Sequence, residues 1–368
     1  MFHRFSRLQL PSLLLTLRNV IGMLVFSFFP IFLRSQSYDI WFIILMTALY
    51  TGVCVIVILF VPRYPIRTSL LAGFLCHAAA VLSLFFPLPY AAYIYSLFVG
   101  LTLVFFWVPI NYLFFASSER NTNAVDSSLY LFFPGIIAII IPPLGAWLIT
   151  EKGFSFVFLI ASLFIVIPLF IVFKYIPNEK HEAPLRASTA SFKGLKTITI
   201  CEGALHMFPA QVIPIYALLF LNTAQEFGHF LSYVALVAFI ISFFVSSQSD
   251  KMQQRKKYLY FFFILLAFST VLMVAVKNTT QWLLIVGFYI LINQISFPLR
   301  LAASMDVKKV DMGFWKVREL FLNIGRVLVQ GIAALFFYLQ LPWAVFGMFA
   351  IISIVYPFLV EKKLKELR

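Results

Sequence analysis

Charge is what this chain has least of. Only 11% of its 368 residues are Asp, Glu, Lys or Arg, and just 14 are acidic. A soluble domain averages about 25% charged and about 45–50% apolar residues. Here hydrophobic residues reach 62% and mean hydropathy is +0.97. A water-soluble core of this length cannot bury that excess, so a soluble enzyme or binding module is excluded and lipid must cover much of the surface. Cysteine is equally scarce. Cys54, Cys76 and Cys201 lie inside apolar stretches with no CxxC or metal spacing, so a disulfide framework and a metal site are both excluded. The five histidines (His3, His77, His181, His206 and His229) fall at scattered depths, and no HExxH pattern occurs. A membrane-embedded transferase needs convergent acid, base or nucleophile groups. No catalytic residue, metal or cofactor is therefore expected, and the chain is read as a non-enzyme. No Walker sequence is present, so this chain does not hydrolyse ATP.

What fills the chain instead is a series of twelve apolar stretches. They run Val20–Leu33, Ile40–Val61, Ser69–Phe86, Ala91–Phe115, Leu129–Thr150 and Phe154–Phe173. After a polar segment come Ile198–Leu221, Phe230–Ser247, Leu259–Val276, Trp282–Ala302, Phe314–Leu339 and Ala344–Val360. A spanning helix takes about 20 residues, so twelve use roughly 240 positions and leave no room for a separate soluble domain. The first stretch is short and is expected to begin nearer Leu13, with Arg18 snorkelling or paired.

Charge placement supports an even number of spans. The net charge of +14 would suit nucleic acid, but the basic residues stand in short runs between apolar stretches. If the loops alternate across a membrane, Arg34, Lys152 and Lys277 fall on one side and Arg326 lies inside a span. The other 24 Lys and Arg share the opposite side with the N-terminus, the central polar segment and the C-terminus. The positive-inside rule makes that side cytoplasmic. The expectation is an all-α polytopic membrane protein of a bacterial cytoplasmic membrane, both termini inside, monomeric, surrounded by lipid and without nucleic-acid partners. Residues 1–177 form one six-helix bundle, 178–196 a solvated cytoplasmic linker, and 197–368 a second bundle.

The halves echo each other. Phe29-Pro30-Ile31-Phe32 matches Ile213-Pro214-Ile215-Tyr216, and the basic turns Arg63–Arg67 and Lys251–Lys257 occupy corresponding places, as do Gly135 and Gly325. Duplicated bundles of this kind are the usual build of a secondary transporter.

On these features the chain resembles the major facilitator superfamily over nearly its whole length. Ser249-Asp250-Lys251-Met252-Gln253-Gln254-Arg255-Lys256-Lys257 is similar to that family's Asp-Arg/Lys-x-x-x-Arg-Lys/Arg loop signature. The resemblance implies a gating role for Asp250, Lys251 and Arg255. The corresponding Pro62-Arg63-Tyr64-Pro65-Ile66-Arg67 keeps the basic residues but lacks the aspartate, so gating contacts attributed to it do not carry over to the first half. Gly135 with Pro142-Pro143-Leu144-Gly145 is similar to a degenerate Gly-Pro-x-x-Gly element of antiporters, and a kinked, closely packed helix explains it as well. Arg318-Glu319-Leu320-Phe321-Leu322-Asn323-Ile324-Gly325-Arg326 resembles an Arg-Glu-x-x-x-Asn-x-Gly-Arg segment of some bacterial members.

Polar residues inside the spans are few. A charged group at mid-bilayer costs about 2.5–3.5 kcal/mol or more, so it faces a cavity or a partner. Glu202 and His206 stand four apart on one face of the seventh stretch, with Gln211 beyond. In the eleventh, Glu319, Asn323, Arg326 and Gln330 make one polar stripe. Arg326 lies roughly 15 Å from the cytoplasmic end, near the depth of transporter sites. Two readings of Arg326 stand together: a contact for an anionic substrate, and an ion pair with Glu202 or Glu319. Glu202 with His206 reads either as a proton site or as a satisfied polar cluster, and His77 as a packed histidine. The first half offers Asn19, Trp107, Asn111 and Tyr112 but no deep acid, and one of Asn293 and Gln294 is expected to point inward. The expected function is secondary transport by alternating access of a small neutral, anionic or amphiphilic solute, with protons as the candidate coupling ion. The alternatives are a lipid or lipid-linked-sugar flippase on the same fold and a non-transporting membrane sensor or assembly partner.

Overall fold

The computed structural model describes residues 2–115, 123–249, 255–305 and 311–367. Nearly all of it is helix. In chain order the helices are α1 (Phe2–Val25), α2 (Phe29–Ser35), α3 (Ile40–Phe60), α4 (Ile66–Ser83), α5 (Tyr90–Phe115), α6 (Asn123–Lys152), α7 (Phe154–Phe164) and α8 (Val166–Tyr175). They continue with α9 (Leu185–Ser191), α10 (Lys196–Met207), α11 (Ile213–Ala217), α12 (Ala224–Ser249), α13 (Arg255–Leu272), α14 (Thr279–Met305), α15 (Met312–Tyr338) and α16 (Pro342–Leu367). In lipid each backbone N–H and C=O must be paired within the segment, which is why apolar runs of this length become helices. Ten helical segments among the described residues are long and apolar enough to cross a membrane. The two other expected stretches coincide with the shorter apolar helix Leu259–Ala275 and with α14. The outer face is apolar too: Phe60, Phe173, Leu284 and Ile351 are all exposed, as a lipid-facing surface requires.

Packing joins sequence-distant helices. Within the first half α4 and α3 lie on α5, and α1 on α6; within the second α10 lies on α15, α13 on α16, and α12 and α13 on α14. Two long contacts tie the halves together, α3 against α15 and α6 against α12. Gln330 reinforces the first of these. Its Nε2 donates to Thr47 Oγ1 at 2.8 Å, and its Oε1 accepts from Thr51 at 3.0 Å.

Two spans are broken where the repeated Pro-Ile motif lies. After α1 the Ser27 amide bonds the Gly22 carbonyl at 3.2 Å, five residues back, and α2 then starts with Pro30 in its first turn. After α10 a π-helical turn covers Phe208–Val212, and α11 starts with Pro214 in its first turn. Proline lacks an N–H and tolerates only the start of a helix, so each break sits just upstream of it. The repeat is thus a shared backbone feature.

The segment expected as a solvated linker is only partly so. Lys180–Glu182 forms a strand, β2, antiparallel to β1 (Arg63–Pro65), with Arg63 opposite Glu182, Tyr64 opposite His181 and Pro65 opposite Lys180. Tyr64, Ala183, Phe192 and Leu195 are buried beneath it. Burial pushes the Tyr64 phenol well above the ordinary tyrosine range. The linker is polar in composition yet anchored, because a few apolar residues suffice to dock it.

Candidate functional site

A cavity of about 450 Å³ lies between the halves. It is bounded by α1, α3, α5 and the start of α2 on one side and by α10, α11, the π turn, α12, α14 and α15 on the other. The two broken spans face each other across it, with Pro30 and Pro214 both in its wall. A π turn frees backbone groups and widens the helix, and such turns cluster at functional sites. Here it sets Pro209, Ala210 and Gln211 into the wall.

Nine of the ten candidate binding residues reach this cavity. Glu202, His206 and Gln211 do so from the seventh span, Asn293 from α14, Glu319 and Arg326 from α15, and Asn19, Trp107 and Asn111 from the first half. The tenth, Asn323, stands behind the wall. It is fully buried, donates to the Glu319 carbonyl oxygen at 2.8 Å and accepts from Arg326 Nη1 at 3.1 Å. It thus bonds both charged neighbours. Asp250, Lys251 and the side chain of Arg255 lie outside the described residues. His77 packs edge-on against Phe26, ring centroids 5.0 Å apart.

The ion pairs differ from one of the two expected arrangements. Glu202 pairs with Arg318, Oε2 to Nη2 3.3 Å, and accepts from Tyr356 Oη at 3.0 Å. Arg326 pairs with Glu319 instead, at 3.6 Å. The Glu202 alternative fails for Arg326 because Arg318, about two helical turns nearer the linker, takes that carboxylate first. Three arginines of the cavity wall are not evident as site residues from sequence: Arg18, Arg300 and Arg318. Arg300 stands at the end of an expected stretch, where it reads as an orientation charge, but α14 continues past it, and its Nη2 donates to Asn293 Oδ1 at 2.9 Å. The signal is the seven-residue spacing from Asn293, two helical turns on the same face. Arg18 lies over Trp107 (4.8 Å to the ring centroid), Phe106 (5.0 Å) and Phe26 (5.8 Å).

Comparison with known proteins follows the same line. The family model of the Major Facilitator Superfamily matches residues 63–293. The chain belongs to the Major Facilitator Superfamily. Its fold is similar to that of the E. coli fucose:proton symporter FucP, with TM-score 0.67 and 12% identity over 98% of both chains. It is equally similar to a POT family transporter in complex with a thioalcohol-conjugated peptide (TM-score 0.67, 14% identity, 98% of this chain and 96% of that one). A POT family transporter in complex with 5-aminolevulinic acid gives TM-score 0.66 at 13% identity, again over 98% and 96%. No match was found among curated proteins. At these identities the structures speak for the fold alone. Membership in the Major Facilitator Superfamily makes the chain an integral, multi-pass membrane protein with a transporter fold.

Within that fold the chemistry of the cavity is one-sided. Its wall carries Arg18, Arg300, Arg318 and Arg326 against Glu202 and Glu319. A guanidinium has five donors. In the described contacts Arg318 gives Nη2 to Glu202 and Arg326 gives Nη1 to Asn323 and Glu319. The Nε atoms of Arg318 and Arg326 are buried and, among the described residues, have no hydrogen-bond partner. Such a pair suits the planar, multi-oxygen face of a carboxylate or phosphate. His206 opens onto the cavity beside them.

Proposed function

We propose that this chain is a secondary transporter working by alternating access, and that its central cavity carries a small organic anion. The observation that carries this reading is the pair Arg318 and Arg326, each held by a single carboxylate on the wall of one cavity, each with a buried Nε unpartnered among the described residues. An entering anion offers acceptor oxygens to the guanidinium donors that Glu202 and Glu319 leave unused. It exchanges with the internal carboxylates, and a released carboxylate is the proton-binding group if protons drive the cycle. Residues 1–177 and 197–368 are the two bodies that rock about the site, with the linker and both termini on the cytoplasmic side of a bacterial inner membrane and the chain acting as a monomer. Asp250, Lys251 and Arg255 serve as a gating loop on that side.

The similar folds include a fucose:proton symporter and a transporter in complex with a thioalcohol-conjugated peptide. The arginine content of this cavity favours an anion over a neutral sugar. A thermal-shift screen of purified protein in detergent tests this, with carboxylates, phosphorylated metabolites, sugars, peptides and lipid head groups at acidic and neutral pH. A ligand that binds only the folded state raises the melting temperature by mass action. The expected hit is an anion whose effect disappears in Arg326→Ala and which is taken up by proteoliposomes. Stabilisation by lipids alone, unchanged in that variant, would overturn the reading and favour a flippase.

A further inference from the structure

We infer that the linker end of the molecule carries a releasable latch, in which Lys316 holds α15 to the end of α3 and to the linker strand, and whose breaking accompanies opening of the cavity at that end. The inference adds to the alternating-access reading and is tested by distances rather than by transport.

Lys316 sits early in α15, only 1% exposed. A lysine near a helix N-terminus is on the unfavourable end of the dipole, so its own helix gives no reason for it. Its reason lies across the interface. Nζ donates to the Val61 carbonyl oxygen at 2.6 Å and to the Ala183 carbonyl oxygen at 2.9 Å. Val61 caps the C-terminus of α3, where carbonyls lack intrahelical partners and the dipole is negative. Ala183 follows β2 and returns its own amide to the Pro62 carbonyl oxygen at 3.1 Å. One ammonium thus ties three segments: a helix of the second half, a helix of the first half and the linker between them.

The neighbouring contacts make this a seam rather than a point. Arg63 pairs with Glu182 at 3.2 Å across the two-stranded sheet. Arg67 Nε donates to the Ile176 carbonyl oxygen at 2.6 Å. Phe115 at the end of α5 stacks on Trp315 at 5.2 Å, and both also line the cavity. Beside it Phe192 packs at a tilt against Phe314 and stacks on Phe321 of α15. The seam therefore joins the linker-side ends of α3, α5 and α15, and separating α3 from α15 there requires Lys316 to leave the Val61 carbonyl.

A buried ammonium is tolerated only while its donors are engaged. Once the seam parts, Lys316 and the Val61 carbonyl both regain water. That makes the contact reversible, unlike an apolar seal. Loss of a hydrogen bond to a charged group shifts such an equilibrium about tenfold toward the parted state.

The test uses the full chain with Cys54, Cys76 and Cys201 replaced by serine, and spin labels on Tyr175→Cys and Lys362→Cys, both exposed positions at this end. Double electron–electron resonance reads the distance between them in nanodiscs. Lys316→Met keeps the side-chain length and removes the donors. The expected result is a longer-distance population that grows about tenfold relative to the parent. His181→Pro, which takes an N–H donor out of the two-stranded ladder, keeps the test open should Lys316→Met fail to fold, and is expected to shift the same population in the same direction. An unchanged distance distribution in either folded variant overturns the latch, as does a lower melting temperature with no new population. Anion binding to Arg326 is untouched by either outcome, so failure here leaves the substrate reading standing.

Discussion

The two halves of this protein share a backbone plan and divide the chemistry unequally. The second half puts Glu202, His206, Asn293, Arg300, Arg318, Glu319 and Arg326 on the cavity wall, while the first half supplies Arg18, two asparagines and an aromatic surface around Trp107. The backbone breaks before Pro30 and Pro214 correspond, yet only the second half holds ion pairs at the cavity among the described residues. The difference teaches that the duplicated scaffold shapes the cavity from both copies, while most of its charged side chains come from one of them. A rocking mechanism needs both, because a ligand held by one half must still be felt by the other.

The sharpest way to break this comparison is Arg326→Ala. It removes one guanidinium and leaves Glu319 buried with Asn323 alone. Truncating one partner of a buried charge pair costs about 2–5 kcal/mol in binding systems, so anion affinity is expected to fall by about 30-fold or more. Arg326→Lys restores the charge without the planar fork and is expected to recover only part of it. Equal affinity in Arg326→Ala and the parent, measured by binding to folded protein, would move recognition to the first half.

The next effect compares packing. A Cβ on Gly203 would meet the Leu322 carbonyl oxygen, and one on Gly325 the Ile200 carbonyl oxygen, so α10 and α15 touch backbone to backbone. In the first half a Cβ on Gly100 would likewise meet the Tyr50 carbonyl oxygen, so α5 touches α3 in the same way, whereas one on Gly145 would meet only the side chains of Phe28 and Leu24. Glycine to alanine gains about 1 kcal/mol of helix propensity, against overpacking of about 1–3 kcal/mol. Backbone cannot yield as a side-chain tip can. Gly203→Ala and Gly325→Ala are therefore expected to lower thermal stability clearly, and Gly145→Ala to change it little. Similar losses at all three positions would remove the distinction between backbone and side-chain contacts.

Much of this is legible in the sequence. The stripe Glu319, Asn323, Arg326 and Gln330 is readable because polar residues at helical spacing stand out on an apolar span. Its division of labour is not: Glu319 and Arg326 face the cavity, Asn323 bonds both, and Gln330 crosses to Thr47 and Thr51. Four residues one turn apart look alike in sequence, and only neighbouring helices separate them. Arg300 and Lys316 read as orientation charges because each stands within three residues of a stretch end, the usual place for that signal. The helices continue further than the apolar stretches do, which draws both inward. The strand Lys180–Glu182 is invisible, since three polar residues carry no alternation. Its pairing depends on a turn more than a hundred positions away.

Trp107→Ala probes the aromatic side of the comparison at smaller scale. The ring lines the cavity and lies beneath Arg18. A cation–π contact contributes about 0.5–2 kcal/mol, so affinity for an anion is expected to fall several-fold, with less loss than in Arg326→Ala. A larger loss than Arg326→Ala, in a titration of both variants, would make the first half the dominant recognition surface.

The smallest effect belongs to the join between the halves. Gln330→Leu removes the hydrogen bonds to Thr47 and Thr51 on α3. Both threonines retain acceptors within their own helix, Thr47 at the Ile44 carbonyl oxygen and Thr51 at the Ala48 carbonyl oxygen. Neither hydroxyl is left stranded, and the net loss is of the order of one ordinary hydrogen bond, about 0.5–1.5 kcal/mol. Because Gln330 lies outside the cavity wall, ligand affinity should stay within about twofold of the parent. The change should appear in the rate of exchange between states, since α3 and α15 separate more easily once the amide bridge is gone. Transport measured under saturating anion distinguishes the two: an altered maximal rate at constant affinity places Gln330 in the moving interface, whereas weaker binding would place it in the site after all.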